Sequence, residues 1–192
     1  MLALIDMDGT LCNYNSAMLK QLNNLLHGFV EYEIDSWDDE KYDKLVDLIK
    51  KQSGFWRTLP KIELGFKAVE LLKDYGFDLH ILTKGPYKTT SAWSEKVEWV
   101  REHLPSTPIT ITEDKGLVYG DVLVDDWIPY CEAWLKFRPR GLLLMPAHKY
   151  NEGFDLKYPD NVLRFNDTNL GEVARAISKW SRRKPGEKIS LK

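Results

Sequence analysis

Cysteine is scarce in this chain. Cys12 and Cys131 are the only two in 192 residues, too few for a disulfide framework. Histidine is nearly as rare, with four scattered copies, so no histidine-rich metal site is in view. No apolar stretch is long enough to span a bilayer. The first residues read as a strand ending in a carboxylate, not as a basic segment leading into an apolar signal. A reducing, cytoplasmic setting is therefore expected. An excess of one charge is missing too: 27 Lys and Arg against 29 Asp and Glu give a net charge of -2. With no basic stripe, this argues against a dedicated nucleic-acid binder. Internal repeats and low-complexity segments are also lacking.

What is present is an ordinary globular composition, 43% hydrophobic and 29% charged, at a length that favours one domain with an insertion. The chain opens on Leu2-Ala3-Leu4-Ile5 followed by Asp6-Met7-Asp8-Gly9-Thr10-Leu11. The apolar run suits a buried parallel strand, and the glycine and threonine suit the turn that ends it. Acids at a strand's carboxyl end stand where open α/β sheets bind ligands.

The next stretch changes character. Ser16 to Leu26 and about Asp39 to Lys51 carry apolar residues at helical spacing, and Ser53-Gly54 closes the second. This block, residues 12–60, reads as a small helical insertion after the first strand. Residues 1–11 and 61–192 then form the core. Helices are expected from Ile62 to Tyr75, Trp93 to Leu104, Tyr130 to Lys136 and Leu170 to Trp180, the last capped by Asn169 or Thr168. Strands are expected at Phe77–Thr83, Ile109–Ile111, Val122–Val124, Gly141–Met145 and Val162–Phe165. Such alternation implies an α/β fold, a three-layer Rossmann-like parallel sheet covered on both faces. The tail from Ser181 onward is expected to fray.

Three strand ends carry polar groups: Asp6 and Asp8, Thr83 and Lys84, and Asp125 and Asp126, with Lys115 just ahead of the last strand. Side by side in a parallel sheet they meet at one edge. Four carboxylates in one pocket repel one another without a cation. Magnesium, which takes hard oxygen ligands, answers that need. Zinc is disfavoured, since no cysteine or histidine accompanies the acids.

These residues resemble the four motifs of the haloacid dehalogenase-like phosphohydrolases, in order: Asp6-Met7-Asp8-Gly9-Thr10-Leu11, Thr83 in Ile81-Leu82-Thr83, Lys115, and Asp125-Asp126. Within that superfamily, Asp114 to Asp126 and the helix from Lys96 to Leu104 are similar to the 5'(3')-deoxyribonucleotidases. Tyr14 and Trp37, the latter in Ser36-Trp37-Asp38, stand where that group contacts its substrate. The chain departs from the group at Lys84, where serine is usual, at Asn13, where aspartate is usual, and in Phe55-Trp56-Arg57-Thr58-Leu59-Pro60, which matches only partly.

The resemblance implies a magnesium-dependent phosphatase of (deoxy)nucleoside monophosphates. Asp6 would be the nucleophile and Asp8 the acid and base. Thr83, Lys84 and Lys115 would bind phosphate, and Tyr14 and Trp37 would stack on the base. Asp6, the Asp8 carbonyl, Asp126 and Asp125 would supply the metal site, with the split between Asp125 and Asp126 left open. Among enzymes, the alternatives are a phosphatase of another small phosphorylated metabolite and a polynucleotide end phosphatase, the second disfavoured by the missing basic stripe. A magnesium or nucleotide sensor that has lost turnover would need a defective nucleophile or acid, yet Asp6, Asp8 and Lys115 are all present; a signalling domain phosphorylated on an aspartate would not need a helical insertion of this size after its first strand. A homodimer is left open.

Overall fold

A computed structural model describes residues 1–27, 40–184 and 186–192; Trp37 lies outside them. Six strands form one parallel sheet, β1 (Leu2–Ile5), β2 (Asp78–Lys84), β3 (Ile109–Thr112), β4 (Val122–Val124), β5 (Leu142–Pro146) and β6 (Val162–Phe165), in the order β3-β2-β1-β4-β5-β6. The chain builds outward from β1 to β3 on one side. It then crosses back to lay β4 on the other side of β1. That reversal puts a crevice at the carboxyl end of β1, the place where open sheets of this kind receive ligands.

Alternate residues of each strand enter opposite layers. Ala3, Ile5, Val122, Val124, Leu142 and Leu144 pack with α3 (Glu63–Asp74), α4 (Ser91–His103) and α7 (Leu170–Ser181). Leu4, Leu123, Leu143 and Met145 pack with α5 (Ile128–Phe137) and the short α6 (Phe154–Lys157). The expected α/β fold with three layers is present.

Between β1 and α3 run α1 (Tyr14–Leu26) and α2 (Glu40–Lys50). Helix α1 starts two residues before the expected Ser16, because Asn13 caps it: the Asn13 carboxamide oxygen accepts from Ser16 N at 3.0 Å. Met18, Leu22, Val46, Ile49, Phe55, Trp56 and Leu59 all join the apolar cluster that covers the sheet. The described residues between β1 and α3 therefore share the core of the sheet. Glu95 of α4 ties it down. Its buried carboxylate accepts from Gly54 N at 2.7 Å and Trp56 N at 3.0 Å, and Trp99 Nε1 donates to the Leu59 carbonyl at 2.8 Å. Glu95→Ala would orphan two buried amides, each worth about 1–3 kcal/mol. It is expected to lower the urea midpoint well beyond the effect of Glu98→Ala, one turn further along at an exposed position.

Two expectations are corrected. Asn169 stands at the start of α7 but does not cap it. Its side chain instead accepts from Asn166 N at 2.9 Å and donates to the Arg164 carbonyl at 3.0 Å, which closes the preceding turn. The described end of the tail is docked, not frayed. Ile189 and Leu191 pack against the core, and Leu191 N donates to the Asp160 carbonyl at 2.7 Å.

Candidate active site

The turn after β1 is wound around one carbonyl. Met7 O accepts from Thr10 N, Leu11 N and Cys12 N at 3.2, 2.7 and 2.8 Å. Gly9 adopts φ +80°, and a Cβ there would fall 2.3 Å from Asp126 Oδ2. Only glycine lets the first turn press against the acid that follows β4.

That closeness gathers three carboxylates. Asp6, Asp125 and Asp126 are all buried, and each offers an oxygen within 4.8 Å of the others. Lys115, buried in a 3-10 turn (Lys115–Leu117), reaches Asp6 Oδ1 and Asp125 Oδ2, each at 2.7 Å. Asp125 also accepts from Trp127 N at 2.9 Å. Asp126 accepts from Thr10 Oγ1 at 2.8 Å and from the Tyr150 hydroxyl.

The electrostatics are dominated by burial. Desolvation pushes Asp6 up to about 7 against the pull of Lys115, with Asp125 and Asp8 adding to the rise. Asp126 is pushed up to about 6, by burial first and by Asp6 next. Asp125 is raised by burial as well, partly offset by Lys115. Burial opposes the charge on Lys115, but Asp125 and Asp6 together outweigh it and hold the ammonium above the ordinary lysine range. One ammonium thus leaves three crowded carboxylates short of positive charge. The donor set is all oxygen and anionic, which fits a hard divalent cation.

Asp8 stands apart from the three. Its side chain, 30% exposed, turns toward Lys96, whose Nζ lies 2.5 Å from Asp8 Oδ2 and 2.9 Å from Thr83 Oγ1. Cys12 Sγ approaches Asp8 Oδ1 at 3.4 Å. Thr83 is fully buried beneath this pair. Since its oxygen accepts from Lys96, its own proton is left to donate elsewhere.

Above these residues opens a cavity of about 570 Å3, within the range of small-ligand sites. Asp6, Asp8, Lys115 and Asp126 line its inner end. Tyr14 forms a wall, stacked on Trp56 with ring centroids 5.3 Å apart and 21° between planes, with Phe55 edge-on at 5.8 Å. Lys84 is exposed at the rim, its Nζ 5.5 Å from the centre of the Tyr130 ring, and Lys115 Nζ lies 4.9 Å from the same ring.

Several site residues went unread in the sequence. Lys96 had a signal: with Glu95 it interrupts a helical stripe that also carries Ala92, Trp99 and Val100, and a lysine there must be paired. Trp56 lay in plain view as an aromatic of the inserted segment. Tyr150 and its supports had no pattern to betray them. They sit on the loop after β5, where His148 Nε2 donates to the Gly9 carbonyl at 2.8 Å. The His148 ring stacks on Tyr150, and Asn151 Nδ2 donates to the Asp126 carbonyl at 3.0 Å.

A parallel sheet with a switch point at β1, a buried acidic triad there and a lysine bridging two of its members define a haloacid dehalogenase-like hydrolase. The fold agrees. The chain superposes on the crystal structure of a haloacid dehalogenase-like hydrolase from Burkholderia xenovorans with a TM-score of 0.52 at 15% identity, covering 93% of this chain and 97% of that one. Residues 1–156 match the family model described as 5' nucleotidase, deoxy (pyrimidine), cytosolic type C protein, and the chain belongs to that family of phosphoric monoester hydrolases. It is 29% identical over 132 residues to the 5'(3')-deoxyribonucleotidase of Clostridium acetobutylicum, covering 64% of this chain and 71% of the relative. It is 28% identical over 138 residues to the human 5'(3')-deoxyribonucleotidase, cytosolic type, covering 64% and 69%. No helix among the described residues is long and apolar enough to cross a membrane.

Proposed function

We propose that this protein hydrolyses the phosphate monoester of (deoxy)nucleoside monophosphates in the cytoplasm, through a phosphoryl group carried on Asp6 and with magnesium as cofactor. One observation carries the reading. Asp6, at the carboxyl end of the central strand and held by Lys115, faces a cavity whose wall is the Tyr14–Trp56 stack.

An Asp6 carboxylate oxygen attacks phosphorus, and the bond from phosphorus to the leaving oxygen breaks. Asp8 gives that oxygen its proton. It then takes a proton from the water that cleaves the aspartyl phosphate, regenerating Asp6 and releasing inorganic phosphate. Lys96 fixes one Asp8 oxygen, so the other is the one that moves the proton. Lys115 and Lys84 stabilise charge on the phosphate oxygens, and Thr83 donates to one of them. The Tyr14 ring, backed by Trp56, stacks on the base. The segment 12–60 acts as the cap that selects the substrate and excludes water. Asp6, Asp126 and the Asp8 carbonyl would hold the magnesium, with Asp125 keeping Lys115 in place. When bound, the ion would neutralise charge on the phosphate and on Asp6.

The test is steady release of inorganic phosphate from a panel of deoxy- and ribonucleoside monophosphates and sugar phosphates, with magnesium and after exhaustive chelation. Turnover of deoxynucleotides that vanishes on chelation is expected. Turnover confined to sugar phosphates, or untouched by chelation, would reject this reading.

The acids also set a pH dependence of stability. Asp6 and Asp126 titrate near 7 and 6 in the folded chain, against an ordinary aspartate value of 3.8. The folded state therefore holds their protons more tightly than the unfolded state does. Their contribution is fully present below about 4 and is lost as pH rises through about 7, on the order of a few kcal/mol in all. Chelated protein is expected to show a falling urea midpoint from pH 5 to pH 8. Saturating magnesium should oppose the fall, since it binds the ionised acids of the folded state alone. A flat profile without metal would contradict the assignment.

A further inference from the structure

Two lysines in the cavity have no part in the chemistry above. Lys50, the last residue of α2, is half-buried on one side, and Lys88, on the exposed loop between β2 and α4, lines the same cavity. Among the described residues neither ammonium forms an ion pair. Lys50 is anchored through its backbone: its carbonyl accepts from Trp56 Nε1 at 3.0 Å, which ties the lysine to the aromatic wall. Burial lowers its pKa most, and the charge of Lys88 adds only the smallest contribution in the same direction. Asp47, Asp43 and Asp8 act in the opposite sense without making contact. Burial of Lys50 thus outweighs the carboxylates around it, and two ammoniums line one cavity without an ion pair at close range. That arrangement is unfavourable alone and favourable once an anion with several acceptor oxygens lies between them.

The transferred phosphate is not that anion in the proposed reaction, because it belongs at the inner end with Asp6 and Lys115. We infer that Lys50 and Lys88 form a subsite for a second phosphate on the same small molecule, and that the preferred substrate is a nucleoside 3',5'-bisphosphate. The inference rests on the phosphatase reading and narrows its substrate. Water adds across one phosphoester bond, releasing inorganic phosphate and a nucleoside monophosphate, while the second phosphate stays on the sugar in the lysine subsite. Asp43 and Asp47 flank the subsite. They disfavour any further phosphate placed beside them.

The experiment compares kcat/KM for thymidine 3',5'-bisphosphate, thymidine 5'-monophosphate and thymidine 3'-monophosphate with magnesium, in the native protein, Lys50→Met and Lys88→Ala. A preference for the bisphosphate of about tenfold or more is expected, the size of one charge-assisted contact. Each variant should lose more on the bisphosphate than on either monophosphate. Lys88 is exposed, so its variant tests the subsite without disturbing the fold. Native protein that turns over the monophosphates as efficiently as the bisphosphate would overturn the subsite and leave the deoxyribonucleotidase reading standing. Equal proportional losses on all three substrates in both variants would do the same. Release of no phosphate from any of the three would remove the phosphatase reading, and this inference with it.

Discussion

Replacing Asp6 by asparagine is expected to abolish phosphate release while leaving the metal-free protein folded and, above neutral pH, harder to unfold. The two halves come from the same geometry. A carboxamide has no anionic oxygen to form the phosphoryl ester. Loss of a nucleophile that works as part of a unit costs on the order of 10^4-fold or more in turnover. Yet Asp6 is buried among Asp125, Asp126 and Asp8, and its carboxyl group is pushed up to about 7. Removing that charge relieves repulsion, while Lys115 keeps its bond to Asp125 at 2.7 Å. The thermal midpoint of Asp6→Asn at pH 8 without metal should therefore match or exceed that of the native chain. The rise in midpoint that magnesium gives the native protein should shrink or vanish, because one of the acids is gone. Wild-type turnover in a folded Asp6→Asn would remove Asp6 from the chemistry. A large drop in midpoint without metal would show that the acid is structural first.

The parts of this molecule that could be read in advance are those where local pattern and burial agree. Leu2–Ile5, Val122–Val124 and Leu142–Met145 are unbroken apolar runs, because a central parallel strand is covered on both faces. The acids after the first two runs had nowhere to lie but the sheet edge. Helix starts were harder. Tyr14, Ser91 and Ile128 all precede the first residue with a clear apolar period, since the opening turn of a helix is set by caps and by the loop before it. Lys115 could be placed near the sheet edge by its position ahead of β4, but only family resemblance gave it a role: a lone lysine in a short 3-10 turn carries no periodicity. Tyr150 and His148 were hidden for a related reason. Their loop is fixed by long-range contacts, including Arg164 Nη2 to the His148 carbonyl and Arg164 Nε to Asn151 Oδ1, both at 3.0 Å. Such contacts exist only once β6 lies beside β5. Lys96 shows the opposite case. Its helical position was regular, and the anomaly was its chemistry on a buried face.

Lys115→Met carries the largest expected effect on stability. The lysine is buried, with both partners buried at 2.7 Å. Removing it leaves Asp6 and Asp125 facing each other with nothing between them. Breaking a buried pair from one side typically costs about 3–5 kcal/mol, and here two carboxylates lose their partner at once. Both acids should titrate even higher in the variant than in the native chain, so the folded state would take up protons more readily than the unfolded one over a wider range. The loss should therefore be small near pH 4, grow as pH rises through neutrality, and be greatest near pH 8. Adding Asp125→Asn to the variant removes one of the two stranded charges and should restore part of the urea midpoint, because the pair is coupled and the two changes are not additive. Phosphate release should stay lost in the double variant, since no ammonium then faces Asp6. An equally large loss at pH 4 and pH 8 would mean that the volume the lysine side chain fills matters more than its charge. Recovery of turnover by Asp125→Asn alone would mean that Lys115 serves the fold and not the phosphate.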